Sequence, residues 1–356
     1  MDIFASKASR RRRIDALFSA RAARRACTPF ARALAPAALA LVLVAGGTAA
    51  AERSKLPRTS DGRPDLQGYW TNNTVVPLQR PPAYLGRAEL TEDEARARIA
   101  KALETTEPEP GTDADVHYQL TDFGLDITQR KLNVDRRTSL ITDPPDGRLP
   151  APLPKAAAQA KERVDYQRAH AFDGPETRPL GERCLVWPHQ GPPIMPTGYN
   201  SNIEIRQAPN YVVLITEMLP NPRVVPLDGR PHLPSDVKQW LGDSRGHWEG
   251  DTLVIETTNY SGRTQAPGGQ GLLFTSGARV TERIDRTAAD TLRYRFTVED
   301  PNLWERPWSA EYPLVRIDGM RFEYACQEGN YGMANTLSGA RVADRAAAEK
   351  AAKAAR

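Results

Sequence analysis

Cysteine and histidine are scarce in this sequence. Its 356 residues include three cysteines and five histidines. No two histidines have the close spacing that zinc sites use, and no glycine-rich phosphate-binding loop follows a strand. The sequence therefore predicts neither a metal centre nor a bound cofactor. The one alternative metal-ligand set combines His189, His232 and His247 with a carboxylate.

Long hydrophobic runs are also missing. Residues 33–45 form an apolar stretch of 13 residues, whereas a membrane-spanning helix needs about 20. An arginine-rich region precedes this stretch, and the small-residue sequence Ala49-Ala50-Ala51 follows it, as in a secretory signal peptide. We therefore predict a signal peptide over residues 1–51 and a periplasmic or secreted mature chain without a stable membrane anchor. An uncleaved anchor is the alternative.

The mature chain lacks a strong net charge. Residues 1–51 hold nine basic and two acidic residues, which leaves 39 basic and 42 acidic residues after cleavage. No basic stripe remains that would neutralise a nucleic-acid backbone, so the charge pattern excludes nucleic acid as a partner. The partner that remains is a small molecule. The oligomeric state is left open.

Two cysteines, Cys184 and Cys326, lie beyond the signal peptide. They are 142 positions apart, and in an oxidising compartment such a pair most simply forms one disulfide. A pair of free thiols is the alternative.

Proline is abundant after residue 51, with 28 of the 30 prolines, and it disfavours helical bundles. Residues 52–200 are predicted to form an irregular, partly helical wrap. A helix begins after Thr91, where Glu94 completes a capping box, and ends near Leu103. A second helix is predicted over Lys155–Arg168.

Alternation of apolar and polar residues marks strands after residue 200. An antiparallel domain is predicted over residues 201–340, with a charged, alanine-rich helical tail over 341–356. A hairpin is predicted across Asp318-Gly319. The short strand spacing favours a mainly β fold with an antiparallel, barrel-like (lipocalin- or calycin-like) domain. The predicted strands include Ile203–Ile205, Tyr211–Met218, Arg223–Pro226, Thr252–Thr258, Ala278–Asp285 and Leu292–Val298.

Several longer motifs resemble a widespread family of exported bacterial proteins without an established activity. The resemblance spans the mature chain and implies export. Gly68-Tyr69-Trp70 also resembles the Gly-x-Trp that opens lipocalin barrels. The motifs are PDLQGYWTN (64–72), DPPDGR (143–148), LDGRPHLP (227–234), WLGDSRGHWEGDTL (240–253) and EYACQEGN (323–330).

Polar residues are densest between Asp228 and Asp251, where the sequence predicts a long loop between strands. A functional interpretation makes His232 or His247 a proton carrier with Asp243 as its orienting partner. The alternative is a loop held by its own Arg–Asp pairs. Further candidate ligand-binding residues are Arg230, Arg245 and His189.

Glu282 is predicted to point into the domain, because strand alternation places it on the same face as Val280 and Ile284. A buried carboxylate is costly unless it is paired or serves a ligand, and Glu282 is therefore the fourth catalytic candidate. A β-bulge that turns it outward is the alternative. Trp304 and Trp308 are predicted to flank a loop, where they either bind a ring-shaped ligand or pack.

Two functions follow from these features. The first is an exported carrier that holds a small organic ligand in a barrel pocket. The second is a cofactor-free hydrolase, lyase or isomerase that uses a His–carboxylate pair as acid and base. The sequence does not decide whether the protein is an enzyme, and it does not identify the ligand.

Overall fold

A computed structural model of the chain describes residues 56–103, 132, 134–187, 190–196, 201–219, 221–262 and 274–355. The predicted signal peptide over residues 1–51 and the candidate ligand residue His189 lie outside these ranges. Within them, every helix is too short or too polar to cross a membrane.

Ten strands are present among the described residues. They are β1 (Gly68–Thr71), β2 (Ile141–Asp143), β3 (Asn202–Ala208), β4 (Tyr211–Thr216), β5 (Arg223–Pro226), β6 (Asp243–Glu249), β7 (Thr252–Thr258), β8 (Arg279–Ala288), β9 (Thr291–Glu299) and β10 (Trp308–Arg316).

The strands form one antiparallel sheet that curls into a nearly closed barrel. Their order is β5-β4-β3-β1-β10-β9-β8-β7-β6, and the short strand β2 pairs with β10. The two outermost strands, β5 and β6, pack against each other. Sequential strands are therefore neighbours around most of the barrel, which confirms the predicted mainly β, antiparallel barrel-like fold.

Strand alternation fixes which side chains point inward. In β9, Leu292, Tyr294, Phe296 and Val298 are each at most 2% exposed, while the residues between them are partly exposed. The inward side chains of the strands form the main hydrophobic core, as the period-two pattern predicts.

Gly246 allows β5 and β6 to approach closely at the barrel seam. A Cβ atom at this position would lie 2.7 Å from Leu227 Cδ2 and 2.9 Å from Val225 Cγ1. At these separations an added side chain would force Leu227 and Val225 to shift, so glycine favours the close packing of the seam.

Three helices are described: α1 (Glu92–Leu103), α2 (Pro154–Ala169) and α3 (Tyr331–Ala354). The predicted capping box of α1 is confirmed, since Glu94 N donates to Thr91 Oγ1 at 3.2 Å and Thr91 N donates to Glu94 Oε2 at 2.7 Å. Helix α3 begins about ten residues earlier than the predicted tail.

Strand β1 was not predicted, and it lies in the middle of the sheet. It pairs with β3 on one side and with β10 on the other. Its four residues are too few to show a clear alternation, and both partners are distant in the sequence. The segment before residue 200 therefore contributes directly to the barrel.

The hairpin predicted across Asp318-Gly319 is wrong. Met320 and Phe322 are 72% and 62% exposed, and no strand follows Gly319 before α3. Since β9 and β1 already occupy both edges of β10, a strand after residue 319 has no edge of β10 to pair with. The chain instead crosses the outside of the barrel.

The predicted disulfide is confirmed. Cys184 and Cys326 are bonded, with their α-carbons 5.8 Å apart. The bond ties the segment before β3 to the segment before α3, and Asn330 Nδ2 reinforces this junction by donating to Glu182 O at 2.9 Å.

Candidate binding site in the barrel interior

Glu282 points into the barrel, as strand alternation predicts. It lies on β8 opposite Ile255 of β7 and Phe296 of β9, and its side chain is fully buried. A carboxylate in this position needs compensation from within the protein.

The compensation comes from Arg223 on β5 and Tyr294 on β9. Arg223 donates from Nη1 to Glu282 Oε2 at 2.5 Å and from Nη2 to Oε1 at 2.8 Å, and Tyr294 Oη donates to Oε1 at 2.5 Å. Burial disfavours the charged guanidinium, but the adjacent Glu282 carboxylate outweighs this effect and raises the pKa of Arg223. The interior thus holds a charge-neutral, hydrogen-bonded pair.

Three tyrosines hold a segment of the chain's own backbone inside the barrel. Tyr294 Oη accepts a hydrogen bond from Ile194 N at 2.9 Å, and Tyr312 Oη donates to Ile194 O. Tyr260 Oη donates to Pro192 O at 3.2 Å. Ile194 and Met195 are buried in the core, so this segment occupies interior volume.

Burial raises the pKa of Tyr260, Tyr294 and Tyr312 well above that of an exposed phenol. The three hydroxyl groups therefore stay protonated at neutral pH and remain able to donate hydrogen bonds.

Arg223 Nε and Trp308 Nε1 are among the buried donors that have no hydrogen-bond partner within the described residues, and both belong to strands of the barrel. An unsatisfied buried donor costs about 1–3 kcal/mol, and native proteins retain few of them. Both donors are thus available to an acceptor that enters the barrel.

The predicted catalytic residues do not converge on Glu282. Asp243 pairs with Thr258 on β7, whereas Glu282 pairs with Ile255. Asp243 therefore lies three residues further along the strands, about 10 Å. Successive side chains of a strand alternate between the two faces of the sheet. Because the displacement is three residues, an odd number, Asp243 lies on the outer face of the barrel and Glu282 on the inner face.

On that outer face, Asp243 organises a separate polar cluster. His232 Nδ1 lies 2.9 Å from Asp243 Oδ2, which also accepts a hydrogen bond from Leu233 N at 3.0 Å. Arg245 Nη1 donates to Asp243 Oδ1 at 2.6 Å and Nε donates to Pro231 O at 3.0 Å. The structure therefore brings together His232, Asp243 and Arg245, and these contacts anchor residues 231–233 to β6.

The two other candidates from this region lie apart from the cluster. His247 is on the outer face of β6, largely exposed, with Nε2 at 3.2 Å from Glu249 Oε1. Arg230 forms an exposed ion pair with Asp228 and donates to Tyr211 Oη at 3.1 Å. Neither residue faces the interior, and the arginine that reaches Glu282 is Arg223. The long loop predicted from Asp228 to Asp251 is shorter, since β6 occupies residues 243–249.

Residues 242–246 read Gly-Asp-Ser-Arg-Gly, which matches the Gly-x-Ser-x-Gly pattern of serine hydrolases. In those enzymes the serine lies on a turn between a strand and a helix. Ser244 instead lies within β6, is buried, and shares a 2.8 Å hydrogen bond with Thr257. The side chains of Ser244 and Asp243 lie on the inner and outer faces of β6, so the two residues do not form part of a catalytic triad.

Trp304 and Trp308 pack in the core. Trp308 lies in β10 rather than in the predicted loop, and it is fully buried. Its ring contacts Phe296 and Trp304 edge-on, with centroids 5.5 and 5.9 Å apart. The rings are unavailable for stacking on a ligand from outside, although the indole N–H of Trp308 is buried and has no partner among the residues that the structure describes.

Fold and site together define an antiparallel β-barrel protein with a buried polar cluster in an otherwise apolar interior. Comparison with known proteins adds no closer identification: no family model, no curated protein and no solved structure matches the chain significantly.

Proposed function

We propose that this protein is an exported binding protein that holds a small organic molecule inside its barrel. The observation that carries the proposal is the convergence of hydrogen-bonding groups on the Pro192–Ile194 backbone. Tyr260 and Tyr312 donate to carbonyl oxygens there, and Tyr294 accepts an amide N–H. Arg223 Nε and Trp308 Nε1 add two donors that have no partner in the described part of the chain.

The chemistry of these groups defines the kind of ligand. The Glu282–Arg223 pair neutralises itself, so the interior favours an uncharged molecule. The surrounding walls are apolar and aromatic. A neutral, mainly apolar molecule with a carbonyl or amide group fits this combination, and it would replace the side chains of Ile194 and Met195 in the interior.

The enzymatic alternative has less support. It depends on a histidine close to Glu282, and His232 lies with Asp243 on the opposite face of the sheet. The carrier function needs no proton transfer.

Nile red, a neutral fluorophore with a carbonyl acceptor, provides a direct test. We expect saturable one-to-one binding with a blue-shifted emission. Trp308→Phe keeps an aromatic ring but removes the indole N–H donor and part of the buried ring volume, so it should weaken binding about fivefold or more, of which one hydrogen bond accounts for about 1 kcal/mol. Trp240→Phe, in an exposed position, is the matched control and should bind normally. Absence of saturable binding, or equal affinity in Trp308→Phe, would overturn the proposal.

Export is the second part of the proposal, and a disulfide is typical of proteins in an oxidising compartment. We expect the exported protein to begin close to Glu52, after Ala49-Ala50-Ala51. Amino-terminal sequencing measures this directly. Protein that retains residues 1–51 in the membrane fraction would contradict it.

A further inference from the structure

A cavity lies outside the barrel interior, at the end of the barrel where β6 and β3 finish. It has a volume of about 260 Å³ and lies between residues 58–67 and these strands. The residues that line it include Arg63, Asp65, Gln67, Gln207 and Trp248.

Hydrogen bonds hold residues 58–67 against the barrel, so this segment forms one wall of the cavity. Gln207 Nε2 donates to Pro64 O at 3.1 Å, and Gln207 Oε1 accepts from Leu66 N at 2.5 Å. Arg58 donates two hydrogen bonds to Asp251, at 2.8 and 3.0 Å. These contacts hold both ends of the segment.

Trp248 provides an aromatic wall. It belongs to the inward-facing set of β6, two residues beyond Gly246, and because it is the last such position in the strand it remains partly exposed. The guanidinium carbon of Arg63 lies 5.6 Å from the centre of the indole ring. Arg63 is exposed and makes no side-chain hydrogen bond within the described part of the chain, so its donors are available at the cavity.

The charges that line the cavity balance. Arg58 and Arg63 are matched by Asp61 and Asp65. Asp251, which pairs with Arg58, adds one further acidic residue, so the site disfavours an anionic ligand. The lining instead offers carboxylate and amide acceptors beside guanidinium and amide donors, next to an aromatic ring.

We propose that this cavity is a binding site for a neutral saccharide. The guanidinium of Arg63 lies over the ring of Trp248, so a bound sugar takes the place of this contact and packs its apolar C–H face on the indole. Its hydroxyl groups both donate and accept hydrogen bonds. Arg63 and Gln67 supply donors, and Asp65 supplies an acceptor. The cavity volume of about 260 Å³ lies just below that of drug-sized sites, about 300–1,000 Å³, which suits a single sugar unit.

This site is separate from the interior site proposed above. Aromatic stacking, predicted from the sequence at Trp304 and Trp308, is instead possible at Trp248, because the other two rings are buried in the core. The two sites also differ in ligand chemistry, since the interior is mainly apolar and this cavity is mainly polar.

The test titrates the full-length protein with glucose, galactose and N-acetylglucosamine, followed by saturation-transfer NMR and tryptophan fluorescence. We expect saturable binding of at least one sugar with a Kd of about 1 mM or tighter. Trp248→Ala and Arg63→Ala should each weaken it about tenfold or more. Arg63 is exposed, so its variant keeps the fold even where Trp248→Ala lowers stability. Trp240→Ala is the control and should bind normally.

Trp308→Phe separates this proposal from that of the interior site. The variant should bind Nile red more weakly and should bind sugar as the unaltered protein does. The saccharide site would be overturned by three outcomes: no saturable binding of any of the sugars, equal binding by Arg63→Ala and the unaltered protein, or saturation by sulfate in place of sugar.

Discussion

Arg223 and Glu282 form a bidentate ion pair inside the barrel, with N–O separations of 2.5 and 2.8 Å, although their strands are not neighbours. The pair joins the two ends of the sheet order, because β5 closes against β6 at the barrel seam and this brings Arg223 to Glu282 across the interior.

Glu282→Gln should destabilise the protein by about 3–5 kcal/mol, because it leaves a buried guanidinium without a counter-charge. Urea unfolding measures the change in free energy. Glu249→Gln is the matched control: it breaks an exposed ion pair with Arg283 and should cost about 1 kcal/mol or less.

The double variant Arg223→Met with Glu282→Leu removes both charges together. It should recover most of the stability lost in Glu282→Gln, since apolar residues of similar volume replace buried ion pairs well. A double variant as unstable as the single one would show that packing, rather than charge compensation, dominates at this site.

Gly246→Ala should destabilise the protein by about 1–3 kcal/mol, since the added methyl group would overpack the seam against Leu227 and Val225. Gly339→Ala in α3 is the control, because no atom of the described residues outside its own helical turn lies within 4 Å of the added Cβ. It should leave the midpoint of urea unfolding unchanged or raise it slightly. Equal effects of the two substitutions would contradict a closely packed seam.

Replacing both Cys184 and Cys326 by serine should cost about 2–5 kcal/mol, because the bond closes a long loop in the unfolded chain. Chemical denaturation of the unaltered protein in reducing buffer should give a similar loss. A stability that responds to neither change would show that the bond does not constrain the unfolded chain.

Glu217 predicts a specific pH dependence. It is buried at the end of β4, where Asn202 Nδ2 donates to it at 2.6 Å and Tyr69 and Arg321 lie nearby. Burial raises the pKa of Glu217 above its usual value. The folded state therefore binds the proton more tightly than the unfolded state, and the contribution of Glu217 to stability falls as the pH rises from the unfolded pKa through the folded one.

The comparison with Glu217→Gln isolates this effect, because glutamine keeps the acceptor for Asn202 and does not ionise. The free energy of unfolding of the unaltered protein, relative to that of Glu217→Gln, should fall between about pH 4.5 and neutral pH. A difference that is constant or rises over this range would contradict a raised pKa.

The predicted parts of the fold share one property, which is that their signal is local. The capping box of Thr91 and Glu94 lies within one helical turn. The inward orientation of Glu282 follows from its neighbours in the same strand. Three or four adjacent residues decide each of these features, and the sequence displays them directly.

The partner of Glu282 was not predictable in the same way. In β5 Arg223 and Val225 are buried and Val224 is exposed. Hydropathy does not distinguish the two adjacent valines, so the sequence does not show that Arg223 lies on the interior face. Only the closure of the barrel, which brings β5 against β6, explains why its guanidinium is buried.

The sequence by itself determined the class of the fold, the orientation of Glu282 and the pairing of two cysteines, because alternation and composition are properties of neighbouring residues and of counts. The tertiary structure decided which polar residues meet. Strand register assigns Asp243 and Glu282 to opposite faces of one sheet, and a shift of a single residue would reverse that assignment. Pairing between strands depends on contacts between distant segments, which are established only when the barrel closes.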